Sequence, residues 1–399
     1  MTLGQAMSSE YGPEPVGYRV AAARKMAGLT QHQLAERAHV SHSLVSQVER
    51  GTRPASPSFV TSVARALHIA PAHLHGMSVD EVVDQPSAES ASIAELRVAL
   101  DAYDDPRPEG RPLALEVISE RLSGVDVELW AERMVAAATT LAPLLHHLYP
   151  LSKDSEAARA VLHDAYRMAA SISGQLGQYD LAALASERHI GLAESTGDPL
   201  RVAVSAWHRS SRHLQHGDHR AGLRLLDRAR GQLDATPAGR AMNVQLGLRS
   251  AVLAARAGDI READGWASEA RSIVDEFAPP ERPYCNIDAS SINTVVHWCA
   301  LPVEQYDAAE AIRRGASAHV ADRQRPERVG RHHIDQARAW TLHGNREKAL
   351  DHLQAARQTS PWRTRRHPQV RETVRTLAAT DRRRDDSLAR FARWAGIRM

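Results

Sequence analysis

The sequence predicts an all-α chain: a small N-terminal bundle of four or five helices followed by a long α-solenoid of stacked helical pairs. Three observations lead there. Alanine, leucine, arginine and glutamate are abundant over 399 residues and aromatics reach only 5%, which favours helix almost throughout. The stretch LTQHQLAERAHVSHSLVSQVERG, Leu29 to Gly51, sets small or branched residues at helical spacing and stops on a glycine. A Gly-polar-polar turn then recurs from Gly177 onward at intervals of about forty residues. The length exceeds one ordinary core and calls for at least two folding units.

Residues 1–15 are expected to form a disordered arm. Tyr18 to Met26 makes the first helix, with Val20 and Ala23 inward. Thr30 is a good N-cap for Gln31 to Ala38, whose inward residues are Leu34, Ala35 and Ala38. Ser41 caps the next helix, Val45 and Val48 share one face of it, and Gly51 supplies the left-handed residue that ends it. Ser56 caps a further helix, Pro57 suits its first position, and Val60, Val63 and Leu67 point inward. Ala35 is small where two helices meet nearly at right angles. Residues 16–75 therefore read as a helix-turn-helix inside a compact bundle. His39 holds the turn, and histidine tolerates the left-handed conformation better than most residues.

Residues 76–92 are acidic and serine-rich and contain Pro86, so a linker is expected. A helical connecting region follows over 93–160. Ile93, Leu96 and Leu100 line one face; Pro106, Pro108 and Pro112 break the pattern; one long helix is expected from about Leu113 to Leu148. The most apolar run, Met134 to Leu151, is interrupted by Pro143, His146, His147 and Pro150 and reads as a buried helix, not a membrane span. The two cysteines, Cys285 and Cys299, give no disulfide framework or thiolate metal site, as suits a reducing cytosol. The first residues lack the basic start and apolar core of a signal peptide, so a cytoplasmic location is expected.

Residues 161–360 repeat. The turn points are Gly177, Gly217, Gly258, Glu304 and Gly344, spaced 40, 41, 46 and 40 residues apart. Five residues after each stands Ala182, Gly222, Ala263, Ala309 or Ala349; twelve after stands His189, Ala229, Ala270, Ala316 or Ala356. Small side chains there let neighbouring helices pack closely, and repetition winds the pairs into a superhelix. His189 reads as a core histidine. Residues 361–399 carry apolar stripes at Val370, Val374 and Leu377 and at Leu388, Phe391 and Trp394, implying two capping helices. Over residues 360–399 eleven arginines face four acids, and the arginines are expected on the solvated side.

Residues 16–70 resemble the DNA-binding domain shared by the lambdoid phage repressors and the XRE family of bacterial regulators. The matching residues are Arg24, Leu29-Thr30-Gln31, Leu34-Ala35, Val40-Ser41, Val45-Ser46 and Val48-Glu49-Arg50-Gly51. His39 departs from the family, which often has glycine there. The resemblance implies a structural ion pair between Arg24 and Glu49. It also implies that the helix after Ser41 enters the major groove, with His42, Ser43 and Gln47 reading bases while Gln31 grips a phosphate. Ser46 shares their outward face and Ser41 starts it, and Arg50 and Arg53 follow it, placed for phosphates. Gln47 suits adenine and His42 suits guanine.

The repeats resemble tetratricopeptide repeats, best in the last, where Ala337, Trp340, Gly344, Ala349, Leu353, Ala356 and Pro361 fall on the consensus. Such a head and solenoid together look like a common class of actinobacterial transcriptional regulators. The resemblance implies a sequence-specific regulator that binds a double-stranded DNA operator as a homodimer. Its repeats would dimerise, sense a peptide or small-molecule effector, or both; the alternative is a groove that docks a protein partner. By the tetratricopeptide pattern, Arg167, Trp207, Ser211, Gln245, Arg249, Thr294, Trp298, Arg331 and Arg338 point into the groove. Arginines beside tryptophans suit a ligand with a carboxylate or phosphate and an apolar part, though the same residues also suit a wet groove or packing between helices.

Signs of catalysis are missing: no phosphate-cradling glycine loop, HExxH, CxxC or serine elbow occurs. The pairs His146-His147 and His332-His333 do not form metal sites by themselves, because adjacent helical residues diverge by about 100°. No catalytic residue, cofactor or metal is expected. With a net charge of only +2, nucleic-acid affinity must come from local patches; the C-terminal arginines could add nonspecific contact.

Overall fold

Among the described residues the N-terminal head has four short helices, α1 (Val16–Met26), α2 (Gln31–Ala38), α3 (His42–Glu49) and α4 (Pro57–Ala66), the last three each begun by a residue whose side chain caps it. The structure is a computed structural model that describes residues 16–67, 69, 74, 88–277, 287–320, 325–379 and 386–397. The expected arm over 1–15, most of the expected linker and Cys285 lie outside the described residues. Thr30 and Gln33 form a reciprocal capping box, the Thr30 hydroxyl accepting from the Gln33 N–H and the Gln33 carbonyl from the Thr30 N–H. Ser41 and Ser56 accept from the N–H groups of Leu44 and Phe59 in the same way. His39 ends α2 at φ 53°, the left-handed turn expected of it. Val20, Leu34, Val45, Val48, Phe59 and Val63 fill the core. Gly17 brings α1 against the end of α3, so close that a Cβ there would lie 1.9 Å from the Val48 carbonyl oxygen.

The connecting region is α5 (Ala88–Asp101), α6 (Leu115–Trp130) and α7 (Met134–Asp154). α5 starts inside the expected linker. The single helix expected over 113–148 is two helices, because Glu132 takes a left-handed φ of 56° between them. That bend aims the Glu132 carboxylate at Ser360 and Arg363, which donate to it at 3.0 and 3.1 Å and tie this corner to the far end of the chain. The apolar run over 134–151 is helical and largely buried, with Pro143 and Pro150 inside it.

Five helical pairs follow: α8 (Glu156–Gln175) with α9 (Tyr179–Ser195), α10 (Pro199–His216) with α11 (His219–Arg230), α12 (Pro237–Arg256) with α13 (Ile260–Asp275), α14 (Ser291–Glu304) with α15 (Ala308–Ser317), and α16 (Pro326–His343) with α17 (Arg346–Thr359). The turns centre on Gly177, Gly217, Gly258 and Gly344, with φ between 72° and 95°. In the fourth pair the left-handed residue is Tyr306, φ 62°, and not Glu304 two residues earlier. The alanines follow this corrected frame: Ala311 is fully buried, while Ala309 and Ala316, counted from Glu304, are exposed. Asp218, Asp259, Asp307 and Asn345, each next after the turn residue, cap the second helix of their pairs. Small residues at the packing positions let the pairs stack closely; Ala263, Ala270, Ala349 and Ala356 are all buried.

The C-terminal cap has three helices instead of two, α18 (Pro361–Arg366), α19 (Pro368–Ala379) and α20 (Asp386–Ala395). Both expected apolar stripes face the core, with Val370, Val374, Leu388 and Phe391 buried. Not all the arginines face solvent: Arg363 and Arg366 turn inward to Glu132 and Glu89, and Arg375 is buried. Carboxylates inside the fold attract them. Among the described residues no helix is long and apolar enough to cross a membrane. The head is seated on the solenoid by α4 and the loop before it, where the Thr61 hydroxyl donates to the Leu214 carbonyl at 3.5 Å.

Candidate functional site

α3 owes its rigidity to one carboxylate. Glu49, on its last turn, accepts two bonds from the Arg24 guanidinium, at 2.7 and 2.9 Å, and a third from the Gln31 amide at 2.8 Å. Arg24 also donates to the Leu29 carbonyl at 2.7 Å, so α1, the start of α2 and the end of α3 meet in one cluster. A fork of two parallel bonds fixes direction as well as distance. The hydrogen-bonded Glu49 carboxylate raises the Arg24 pKa against the opposing effect of burial.

With Val45 and Val48 buried behind, the opposite face of α3 looks outward. His42 and Ser43 are exposed at its start and Arg50 at its end, while Ser46 and Gln47 are half-buried. The Ser41 oxygen accepts the capping bond from the Leu44 N–H, which leaves its O–H to donate. Gln31 braces Glu49 with one of its two N–H donors, which leaves the other for a phosphate. Gln47 is held between Ser43, to which it donates at 3.3 Å, and Arg53, from which it accepts at 3.4 Å. Arg50 folds back onto the Ser46 carbonyl. Arg53 is not free on this face as expected. Its guanidinium lies 4.1 Å over the Tyr306 ring, since a weakly hydrated planar cation stacks well on an aromatic face. The Tyr306 hydroxyl in turn accepts from the Ser56 N–H at 3.0 Å.

A second site lies inside the solenoid, a cavity of about 480 Å³. Of the nine residues expected in the groove, Arg167, Trp207, Gln245, Arg249 and Arg331 line it. Ser211 stands behind Arg249 and accepts from it at 3.3 Å. Arg338 is buried behind Glu304, to which it donates at 3.2 Å. Neither of these two lines the cavity, and the last two expected residues lie farther from it. Thr294 is buried with its hydroxyl turned back to the Ser291 carbonyl, and Trp298 packs on an alanine cluster under Arg314 and Arg271. Both were counted from Glu304; counted from the true turn at Tyr306 the positions move two residues on, to Val296 and Ala300, which do line the cavity.

The cavity has members that the repeat pattern misses. Arg256 lies seven residues after Arg249 on the same face of α12, and the stripe Gln245, Leu248, Arg249, Val252, Arg256 is legible as an i, i+3, i+4, i+7 series. Trp130 and Arg363 come from outside the repeats, and no local signal marks them. Although burial pushes the Glu304 carboxyl up, Arg256 and Arg338 outweigh it and hold it down to about 2. Burial lowers His208 to about 3 and His297 to about 4, so both wall histidines are neutral near pH 7.

A family model described as a helix-turn-helix domain matches residues 16–75. The chain is 32% identical over 118 residues to the immunity repressor protein of Bacillus phage phi105, an overlap of 28% of this chain and 82% of that protein. Among solved structures it is similar to Bacillus thuringiensis PlcR, crystallised with the peptide PapR7 and DNA. The likeness covers 85% of this chain and 99% of PlcR at 14% identity and a TM-score of 0.32.

Proposed function

We propose an operator-reading mechanism for this chain, which belongs to the XRE family of lambdoid-repressor-like helix-turn-helix transcriptional regulators. As a member it is a DNA-binding regulator of transcription. In this reading residues 16–75 are the DNA-binding head, 76–92 a linker, 93–160 a connecting region, 161–360 the sensing repeats and 361–399 the closing cap. The observation that carries it is the braced α3 with its outer face open. Glu49, Arg24 and Gln31 hold the helix from behind, so His42, Ser43, Ser46 and Gln47 present to a major groove at little ordering cost. Gln47 exchanges its bonds with Ser43 and Arg53 for the paired donor and acceptor of an adenine edge. Ser41, Gln31, Arg50 and Arg53 supply phosphate contacts, Arg53 after leaving Tyr306.

A single small head reads too little sequence for specific control, and we assign two heads, from a homodimer, to two half-sites. The solenoid cavity takes a peptide or small-molecule effector. Its walled volume of about 480 Å³ suits such a ligand better than a protein partner, which would remain the use of the groove if nothing small binds. The chain works in the cytoplasm and has no catalytic role.

The test starts from an operator selected from random duplexes with the full-length protein. Gln47→Ala is expected to weaken operator binding roughly tenfold to a hundredfold while nonspecific duplex binding and melting stay unchanged. Undiminished discrimination by that variant would remove α3 as the reader.

A further inference from the structure

Six arginines line the cavity, and five already have a carboxylate. Arg167 meets Asp126 at 3.1 Å, Arg256 meets Glu304 at 2.9 Å and Arg328 meets Asp288 at 2.6 Å. Arg331 meets Asp335 at 2.8 Å and Arg363 meets Glu132 at 3.1 Å. Arg249 differs. Its guanidinium lies 4.2 Å over the Trp207 ring and donates to the Ser211 hydroxyl, and among the described residues no carboxylate pairs with it. The half-buried guanidinium has five N–H donors, and one hydroxyl with one ring face leaves most of them unused. An unpaired buried charge is costly to hold, so a protein that keeps one open to a cavity is prepared for an anion.

We propose, building on the effector-sensing role, that the cavity is a receptor for a compact monoanion with an apolar body, its carboxylate held by Arg249. The single charge follows from the pairing: each of the other lining arginines already has a carboxylate partner, and Arg249 is the one lining guanidinium with none among the described residues. His208 and His297, both uncharged near pH 7, add no cation. The apolar body follows from the wall beside Arg249, where Trp207, Leu248, Val252, Val296 and Leu301 face the space. The size follows from about 480 Å³, in the lower part of the usual range for small-molecule pockets. Burial, with Arg256 and Arg331 close by, lowers the Arg249 pKa only to about 10, so it stays a cation in neutral solution. A planar guanidinium fixed on an indole is preset for a carboxylate, which binds it through two parallel bonds.

Two sources share this chemistry, a free organic acid and the C-terminus of a short peptide, and two probe pairs tell them apart. Full-length protein without DNA is titrated calorimetrically with octanoate and with octanamide, then with acetyl-Leu-Leu and its C-terminal amide. In at least one pair the acid is expected to bind roughly tenfold to a hundredfold more tightly than the amide, and Arg249→Gln should remove that preference. The pair that responds names the source. Equal binding of acid and amide in both pairs, no binding of any probe, or a preference that survives Arg249→Gln overturns the proposal. The acid–amide comparison needs no variant, so misfolding of Arg249→Gln would not rescue it. Because DNA is absent, failure here leaves operator reading by α3 standing, and failure of the Gln47 test leaves this one intact.

Discussion

Replacing Glu49 with alanine is expected to unfold the head while the solenoid stays folded. The Glu49 and Arg24 side chains are only 5% and 11% exposed, and Glu49 is the acceptor for Gln31 as well. Breaking a buried pair from one side strands the other charge, at a cost of about 3–5 kcal/mol. Four short helices around a small core have little stability to spare. Arg24→Met on its own should do comparable damage, since it leaves Glu49 with Gln31 alone. The double change Arg24→Met with Glu49→Leu removes both charges and fills the space, and should recover much of the loss. Amide exchange separates these outcomes, because the Val45 and Val48 N–H groups report the head directly. Fast exchange in Glu49→Ala with restoration in the double variant is expected. Unchanged protection in Glu49→Ala would mean that the cluster does not hold α3. Operator binding alone cannot make this distinction, because Gln47→Ala loses the operator too, with the head intact.

The head is legible in the sequence because its determinants are local. Thr30, Ser41 and Ser56 each cap a helix that starts on the next residue, and Ala35 marks a crossing, so short-range chemistry suffices. The fourth repeat is misread by two residues for a physical reason. A search for glycine fails where a tyrosine takes the left-handed turn, and the surviving signal is Asp307, the cap that follows it. The destination of Arg53 is illegible, since Tyr306 comes beside it only when the superhelix closes. Arg363 and Trp130 enter the cavity for the same reason. Thr294 and Trp298 fail through the same two-residue error, since Val296 and Ala300 hold their places when the turn is set at Tyr306. Arg256 was open to inference, seven residues beyond Arg249 on one helical face.

The Tyr306 contact carries the second large expected effect: Tyr306→Gly should loosen the docking of the head on the solenoid without unfolding either part. Three interactions would go, the stack under Arg53, the bond from the Ser56 N–H and the packing of the ring on the core of the head, and glycine would at the same time relieve a left-handed tyrosine worth about 1–2 kcal/mol of strain. The turn itself is therefore kept or improved. Arg53 would no longer have to leave Tyr306 to reach a phosphate, so operator binding should tighten while the salt slope, set by the contacts in the complex, stays at the parent's value. An affinity equal to the parent's would place Arg53 outside the DNA contact.

A second clasp is pH-sensitive. The Glu372 carboxylate accepts from the Ala55 N–H at 3.4 Å. Burial pushes its pKa up to about 6, against the lowering effects of that bond and of Arg375 on its own helix, Arg19 on α1 and Arg338 on α16. Undocking returns the group to water and to an ordinary carboxylate pKa. The docked form then binds the proton more tightly, so docking strengthens as pH falls through about 6 toward the ordinary value and weakens again above it. Paired-dye energy transfer between head and solenoid should show a tighter complex at pH 5 than at pH 7.5, and Glu372→Gln, uncharged at both, should flatten the profile. The same pH response in Glu372→Gln would assign it to another group. Tyr306 and Glu372 thus hold adjacent points of one loop, and their two variants separate a contact set by stacking from one set by protonation.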